Sequence, residues 1–253
     1  MRRQRKNEIV WNTLENRVEI KHQEHKYGYF AVILPLIVLI VFGFIYGTKP
    51  AADGAAYTFM EQSFGALCSI SIYAGGLMGL PLVISEYRER KILKRFQVTS
   101  VSPAKLLLAE FLIYVIYCIV SMLTLFLAAV LFWKIRIHGS FLLFLGSWLL
   151  TMISTLSIGL LVGGIAKNMK SASVIACILY FPMLIFSGAT LSFEVMPAAV
   201  QKILCTFPLT QGIQLMKAAF LGLSIENVLL PITVMSAVTL LCFGISVKCF
   251  KWE

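Results

Sequence analysis

Apolar positions gather into six long runs, 29–46, 64–84, 106–133, 140–166, 172–191 and 228–247, separated by shorter polar segments. None carries Asp, Glu, Lys or Arg in its central part. At 1.5 Å of helical rise per residue, a run of about 20 residues crosses the roughly 30 Å hydrocarbon layer of a bilayer. The pattern therefore predicts an all-α integral membrane protein with six transmembrane helices. The chain reads as one transmembrane domain over 1–253, with a cytoplasmic amphipathic tail (1–27), a cytoplasmic loop (85–105) and an outer re-entrant segment (191–222).

Composition agrees with this reading. Of the 253 residues 59% are hydrophobic and 13% charged, and the mean hydropathy is +0.85, far from an average soluble domain. Charge then orients the runs. With the N-terminus inside, seventeen of the 22 Lys and Arg fall on the inner side, leaving Lys49, Lys134, Arg136, Lys202 and Lys217 outside. That asymmetry follows the positive-inside rule and places the chain in the plasma membrane with both termini cytoplasmic. Topology and anionic lipid account for the net charge of +10, so nucleic-acid binding is not needed to explain it. No removable signal peptide is expected, because a long polar stretch precedes the first apolar run and no small-residue cleavage site follows it closely.

The tail repeats Val10, Trp11, Leu14 and Val18 at steps of three and four with Glu8, Asn12, Glu15 and Glu19 between them, which predicts an amphipathic helix lying in the interface. His22 and His25 lack a third ligand nearby and make poor metal candidates. The six cysteines, Cys68, Cys118, Cys177, Cys205, Cys242 and Cys249, have no paired spacing and read as apolar fillers. Gly75 with Gly79, and Gly159 with Gly163, have the small-x-x-x-small step that lets helices approach closely in lipid. Pro35, Pro81 and Pro182 should kink their helices. Residues 191–222, with Pro197, Pro208, Glu194, Gln201, Lys202, Gln211 and Lys217 among apolar neighbours, are too interrupted to span and too apolar for an ordinary loop; short helices dipping into the outer leaflet fit them.

Chemistry-bearing motifs are missing. The chain has no phosphate-binding G-x-x-x-x-G-K-[ST] loop, no H-E-x-x-H pair, no G-x-S-x-G elbow and no Cys-x-x-Cys pair, so it has no nucleotide-hydrolysing site of that kind. Nor do its spans hold the buried charges of ion-coupled carriers, with Glu110, near the inner end of the third run, reading as interfacial. What remains is the segment 85–103, with five basic residues, two acids and the apolar set Ile92, Leu93, Phe96 and Val98. It reads as a docking element, one face on lipid headgroups and the other offered to a soluble partner that supplies energy.

Those residues also carry a resemblance. Glu89-Arg90-Lys91-Ile92-Leu93-Lys94-Arg95-Phe96, then Thr99 and Val101-Ser102-Pro103, resembles the coupling loop of the ABC-2 class of ABC exporter permeases. Phe181-Pro182-Met183, Phe186-Ser187-Gly188-Ala189, Phe193-Glu194, Met196-Pro197 and Phe207-Pro208-Leu209-Thr210 resemble the same family's fifth-span exit and outer re-entrant motif. Leu34-Pro35-Leu36, Phe42-Gly43-Phe44 and Gly47 look like its first span. Lys91 and Ile92 stand where the family often has Gly-Thr, Ser100 and Ser192 where proline is common, and Glu110 where a basic residue is frequent.

The resemblance implies an N-terminal connecting helix, a dimer with a second permease copy or a paralogue, and separately encoded ATPase subunits. Those would carry the ATP and Mg, and the chain itself would hold no cofactor and no metal. Docking falls to Glu86, Arg88, Glu89, Arg90, Lys94 and Arg95, with 167–171 as a secondary contact. Substrate contacts are expected on an apolar dimer surface of the second and fifth spans, at Phe64, Ser71, Tyr73, Tyr180, Phe186 and Thr190. The implied function is export of a hydrophobic or amphipathic substrate, such as a drug, peptide antibiotic or lipid-like molecule, driven by the partner's ATP hydrolysis. A non-transporting membrane subunit, such as a bacteriocin-immunity or assembly protein, is the alternative.

Overall fold

The structure, a computed structural model, describes residues 28–47, 49–51, 55–92, 103–186, 208–223 and 228–248. The amphipathic tail, the whole of 93–102, and residues 187–207 lie outside them. Among the described residues seven helices follow in order: α1 (Gly28–Tyr46), α2 (Phe59–Glu89), α3 (Pro103–Trp133), α4 (Phe141–Ile165), α5 (Met169–Phe186), α6 (Pro208–Leu221) and α7 (Leu229–Lys248). Five of them, α1 to α4 and α7, are long and apolar enough to cross a membrane. The expected fifth span, 172–191, appears as α5, whose apolar part Met169–Met183 is shorter, and its last residues are outside those described.

α2 is the axis of the bundle. It is buried nearly along its whole length and packs against α3, α4, α5 and α6. A helix apolar on all sides needs protein or lipid on all sides, and here protein surrounds it. The sequence places this span at 64–84, but the helix is longer at both ends. At the start Thr58 Oγ1 accepts from Glu61 N and Glu61 Oε2 accepts from Thr58 N at 2.8 Å, a capping box that begins the helix before the apolar run. Within it lies a π-helical segment, Ala74–Gly79, in which Leu80 N bonds to Gly75 O five residues back. Pro81 follows directly. A proline has no N–H and crowds the carbonyl four residues earlier, so a widened turn just before it accommodates the ring where a kink is expected.

Neighbouring helices meet through small residues. Gly159 and Gly163 of α4 face α2: a Cβ on Gly159 would collide with Gly76 O, and one on Gly163 would lie 3.0 Å from Ile84 Cβ. Gly75 and Gly79 of α2 instead face Tyr114 of α3, with Ala31 of α1 also beside Gly75. The two glycine pairs thus serve different contacts, as close approach without a side chain allows. α1 lies along α3, with Ser121 Oγ donating to Ala31 O at 3.2 Å and Trp133 Nε1 to Gly43 O at 3.0 Å. α7 lies along α4, where Ser246 Oγ donates to Leu160 O at 3.0 Å.

These pairings have a direction. Residues 31 and 43 of α1 meet 121 and 133 of α3, and residues 76 and 84 of α2 meet 159 and 163 of α4, so both pairs run parallel. Phe42 and Tyr46 pack on Phe59 while Ala31 lies beside Gly75, so α2 runs back against α1 and the first four helices alternate in direction, as successive crossings require. Exposed apolar side chains, among them Ile33, Phe44, Leu112, Ile116, Leu123, Leu127 and Leu240, cover the outward faces of α1, α3 and α7. Such a surface suits hydrocarbon and not water.

At the end holding the start of α2, Glu61 ties three segments together. Its carboxylate accepts from Arg136 N at 2.8 Å and lies 3.3 Å from His138 Nε2. Residues 138–140 bond in turn to the last carbonyls of α6, with His138 N and Gly139 N reaching Phe220 O and Ser140 N reaching Ala219 O. α6 closes on Gly222 at φ 72°, and Leu223 N bonds to Ala218 O at 2.9 Å. α6 belongs to the segment expected to dip and return, and it is buried against α2 and α4, with Gly65 on Met216 and Gly212 on Thr151.

Candidate docking site

The opposite end holds the last turn of α2 and the beginnings of the charged segment. α2 continues through Ser85, Glu86, Tyr87 and Arg88 to Glu89, and these residues are buried up to Arg88. Four polar side chains in the final turns find four kinds of partner. Glu86 Oε1 lies 2.8 Å from Arg90 Nη2, one turn on. Tyr87 OH donates to Glu110 Oε1 at 2.8 Å, which ties α2 to the first turns of α3. Arg88 donates to Gly163 O and Gly164 O at 3.0 Å each and to Ala166 O, the unsatisfied carbonyls at the end of α4. Glu89 Oε2 accepts from Met169 N at 3.1 Å, the first amide of α5.

This geometry sorts the residues singled out from sequence. Arg88 is 5% exposed and spent on helix carbonyls, so it is not a surface charge for a partner. The sequence pattern missed this because a charge run shows no partners, and the carbonyls it needs lie some 75 residues later. Glu89 is exposed, with its carboxylate engaged by the first amide of α5. Glu86 is buried and supports Arg90, whose side chain is 34% exposed. Lys94 and Arg95 fall outside the described residues. Glu110, expected at an interface, is 7% exposed and held by Tyr87; a tyrosine at the end of one helix and a carboxylate near the start of the next is a signal too generic to read unaided.

Lys91, at φ 57°, turns the chain out of α2 in the left-handed region. That is the conformation a glycine adopts at least cost, and the family resemblance puts glycine at this position. The turn 167–171, expected as a secondary contact, lies beside the charged end. Asn168 Oδ1 accepts from Ser171 N at 2.8 Å and caps α5, next to the amide that Glu89 takes.

The cargo residues do not form an outward surface. Phe64 sits in an aromatic cluster, its ring centroid 5.1 Å from Phe220, 5.8 Å from Phe144 and 6.0 Å from Phe126. Ser71 and Tyr73 are buried on α2, Tyr73 OH lying 3.4 Å from Leu209 O of α6. Tyr180 is buried on α5, packed edge-on against Phe181. The side chain of Phe186 and all of Thr190 are outside those described. α2 is central in the protomer, so its residues line interhelical space and not a face free to meet a second copy.

A multi-pass helical bundle, with a charged turn gathered at one end, defines a polytopic membrane protein. The ABC-2 type transporter family matches residues 9–221, and the chain belongs to that family. It is similar to the inner membrane transport permease YhhJ of Escherichia coli K12, at 28% identity over 151 residues, 59% of this chain and 40% of the relative. It is also similar to the probable multidrug ABC transporter permease YbhS of the same organism, at 26% identity over 166 residues, 65% of this chain and 44% of the relative. The aligned part thus covers less than half of either relative. No solved structure matches the chain.

Proposed function

We propose that this chain is the permease subunit of an ABC exporter of the plasma membrane, carrying a hydrophobic or amphipathic cargo outward while separate ATPase subunits bind ATP and Mg and hydrolyse it. The observation that carries this reading is the family match over 9–221. The charged turn at one end of the bundle supports it, and so does a relative described as a probable multidrug ABC transporter permease. Both termini lie in the cytoplasm in this reading, which puts the Arg88 end inside and the Glu61 end outside. A second permease copy or a paralogue completes the transporter.

Docking then rests on Arg90, Lys94 and Arg95, with Glu86 holding Arg90 in place. Movement of the ATPases enters here and switches the bundle between inward-open and outward-open arrangements. Cargo passes between helices: Ser71, Trp148 and Ser154 bury polar atoms without a hydrogen-bond partner among the described residues. Such groups cost free energy where they stand and would gain partners from a polar cargo group when the spans part.

The test is charge reversal. Truncating one member of a desolvated interfacial charge pair costs roughly 2–5 kcal/mol, and reversal costs at least as much. Arg90→Glu combined with Arg95→Glu is expected to leave the protein inserted in the membrane while abolishing ATPase co-purification from native membranes. Normal recovery of an ATPase with that double variant would remove the segment from docking, and no ATPase recovered even with the unaltered chain would remove the exporter reading itself.

A further inference from the structure

Two consecutive side chains at the end of α2 hold two other helices by their ends. Arg88 takes the carbonyls of Gly163, Gly164 and Ala166 as α4 finishes, and Glu89 takes the amide of Met169 as α5 begins. Only Lys167 and Asn168 stand between those contacts, so the pair brackets the whole turn between α4 and α5. Each charge matches what it touches. Free carbonyls make the last turn of a helix partly negative, and free amides make the first turn partly positive.

The residue types matter. A guanidinium spreads five N–H donors over a rigid planar fork and reaches several carbonyls at once; a lysine ammonium concentrates its donors on one atom. Arg88 is buried, where these bonds are screened little. Contact continues along the same two helices above it, through Gly163 against Ile84 and Pro81 and through Gly159 against Gly76. Tyr87 and Glu110 hold the start of α3 to the same turn. Glu89 and Arg90 are the first exposed residues of the turn.

We infer that Arg88 and Glu89 are positioning residues that deliver movement of the docking segment to α4 and α5, making the two turns at this end of the bundle shift as one body. This rests on the docking reading above. Without the pair, the segment after α2 could be displaced while the α4–α5 turn stayed behind. With it, a displacement of the last turn of α2 carries both helix ends, and packed helices respond by rigid-body shifts and not by bending.

Hydrogen–deuterium exchange of the full chain, alone and with its co-purified ATPase, tests this. Arg88→Lys keeps the charge and loses the fork, Glu89→Ala loses the acceptor, and Glu89→Gln keeps an acceptor as the rescue. In the isolated chain, the amides of 167–171 are expected to exchange faster in Arg88→Lys and Glu89→Ala and to stay near wild type in Glu89→Gln. In the complex, trapping the ATPase with ADP and vanadate is expected to change exchange at both 93–102 and 164–171 in wild type. In the two disrupting variants the first response should persist and the second be lost, at unchanged ATPase recovery; a merely structural role would not separate them. If Arg88→Lys does not insert, the Glu89 pair carries the same comparison. A response at 164–171 that survives in the variants, or is missing from wild type, overturns the inference. Unchanged exchange at 167–171 in the isolated variants overturns it too. Failure of any ATPase to bind wild type strikes the docking reading instead, and the isolated-chain measurement still decides the pair.

Discussion

Arg88 and Lys91 lie three residues apart in one run of charge, and their surroundings give them unrelated tasks. Arg88 closes the carbonyl end of a distant helix. Lys91 turns the backbone with φ at 57°, in a region that costs an ordinary L-residue roughly 1–2 kcal/mol. Glycine avoids most of that cost but gives back about 0.5–1 kcal/mol in unfolded-chain entropy. Lys91→Gly is therefore expected to be neutral to stabilising, by up to about 1 kcal/mol. Thermal unfolding in detergent checks it, and a clear loss of stability would mean that the Lys91 side chain contributes a contact outweighing the strain. The residue types were legible in the sequence as a charged, docking-like segment. Which charges are already engaged within the chain was not, because the burial of Arg88 and the bond made by Glu89 depend on where Gly163 to Met169 come to rest.

At the level of elements, the apolar runs matched helices closely, with 106–133, 140–166 and 228–247 appearing as α3, α4 and α7 to within a few residues. Ends departed where polar groups found partners, as at Glu61 and Arg88, since a helix runs on past its apolar part wherever its polar residues are satisfied. The glycine steps were legible as close contacts, whereas their partners were not. Gly159 abuts the backbone of the π-helical stretch of α2, which cannot swing aside as a flexible side chain would. Overpacking of this sort costs about 1–3 kcal/mol, so Gly159→Leu is expected to lower the unfolding temperature and Gly146→Leu, with open space around its Cα, to leave it unchanged. Equal effects at the two positions would argue against the α2–α4 contact. Phe64→Ala, in the cluster with Phe126, Phe144 and Phe220, is expected to cost about 3 kcal/mol, at the low end for a buried aromatic. Lipid is as apolar as the protein interior, so the loss is of packing and not of transfer from water.

Over the whole molecule, the parallel pairing of α1 with α3 and of α2 with α4 supports alternating crossings, while the choice of inner side rests on the Lys and Arg asymmetry alone. Thiols introduced singly into a cysteine-free version should separate accordingly. Cysteines at Asn16, Gln97 and Trp252 are expected to label from the cytoplasm, and those at Asp53, His138 and Gln201 from outside. Labelling of Gln97 and Asp53 from one side would break the alternation, and a clean exchange of the two sets would reverse the orientation and remove the docking role of the charged end.

Run lengths, the absence of charge within them and the distribution of Lys and Arg by themselves determined an all-helical membrane protein, because a bilayer imposes its thickness and its intolerance of unpaired backbone on any chain that crosses it. The order of the short motifs was enough to point to the family. Tertiary structure alone decided that α2 is the central helix, that Phe64, Ser71 and Tyr73 face the interior of one protomer, and that Arg88 and Glu89 fasten α4 and α5. Those outcomes depend on which helix lies beside which. Lipid satisfies an apolar helix face as well as protein does, so the pattern along one span carries no record of its neighbour.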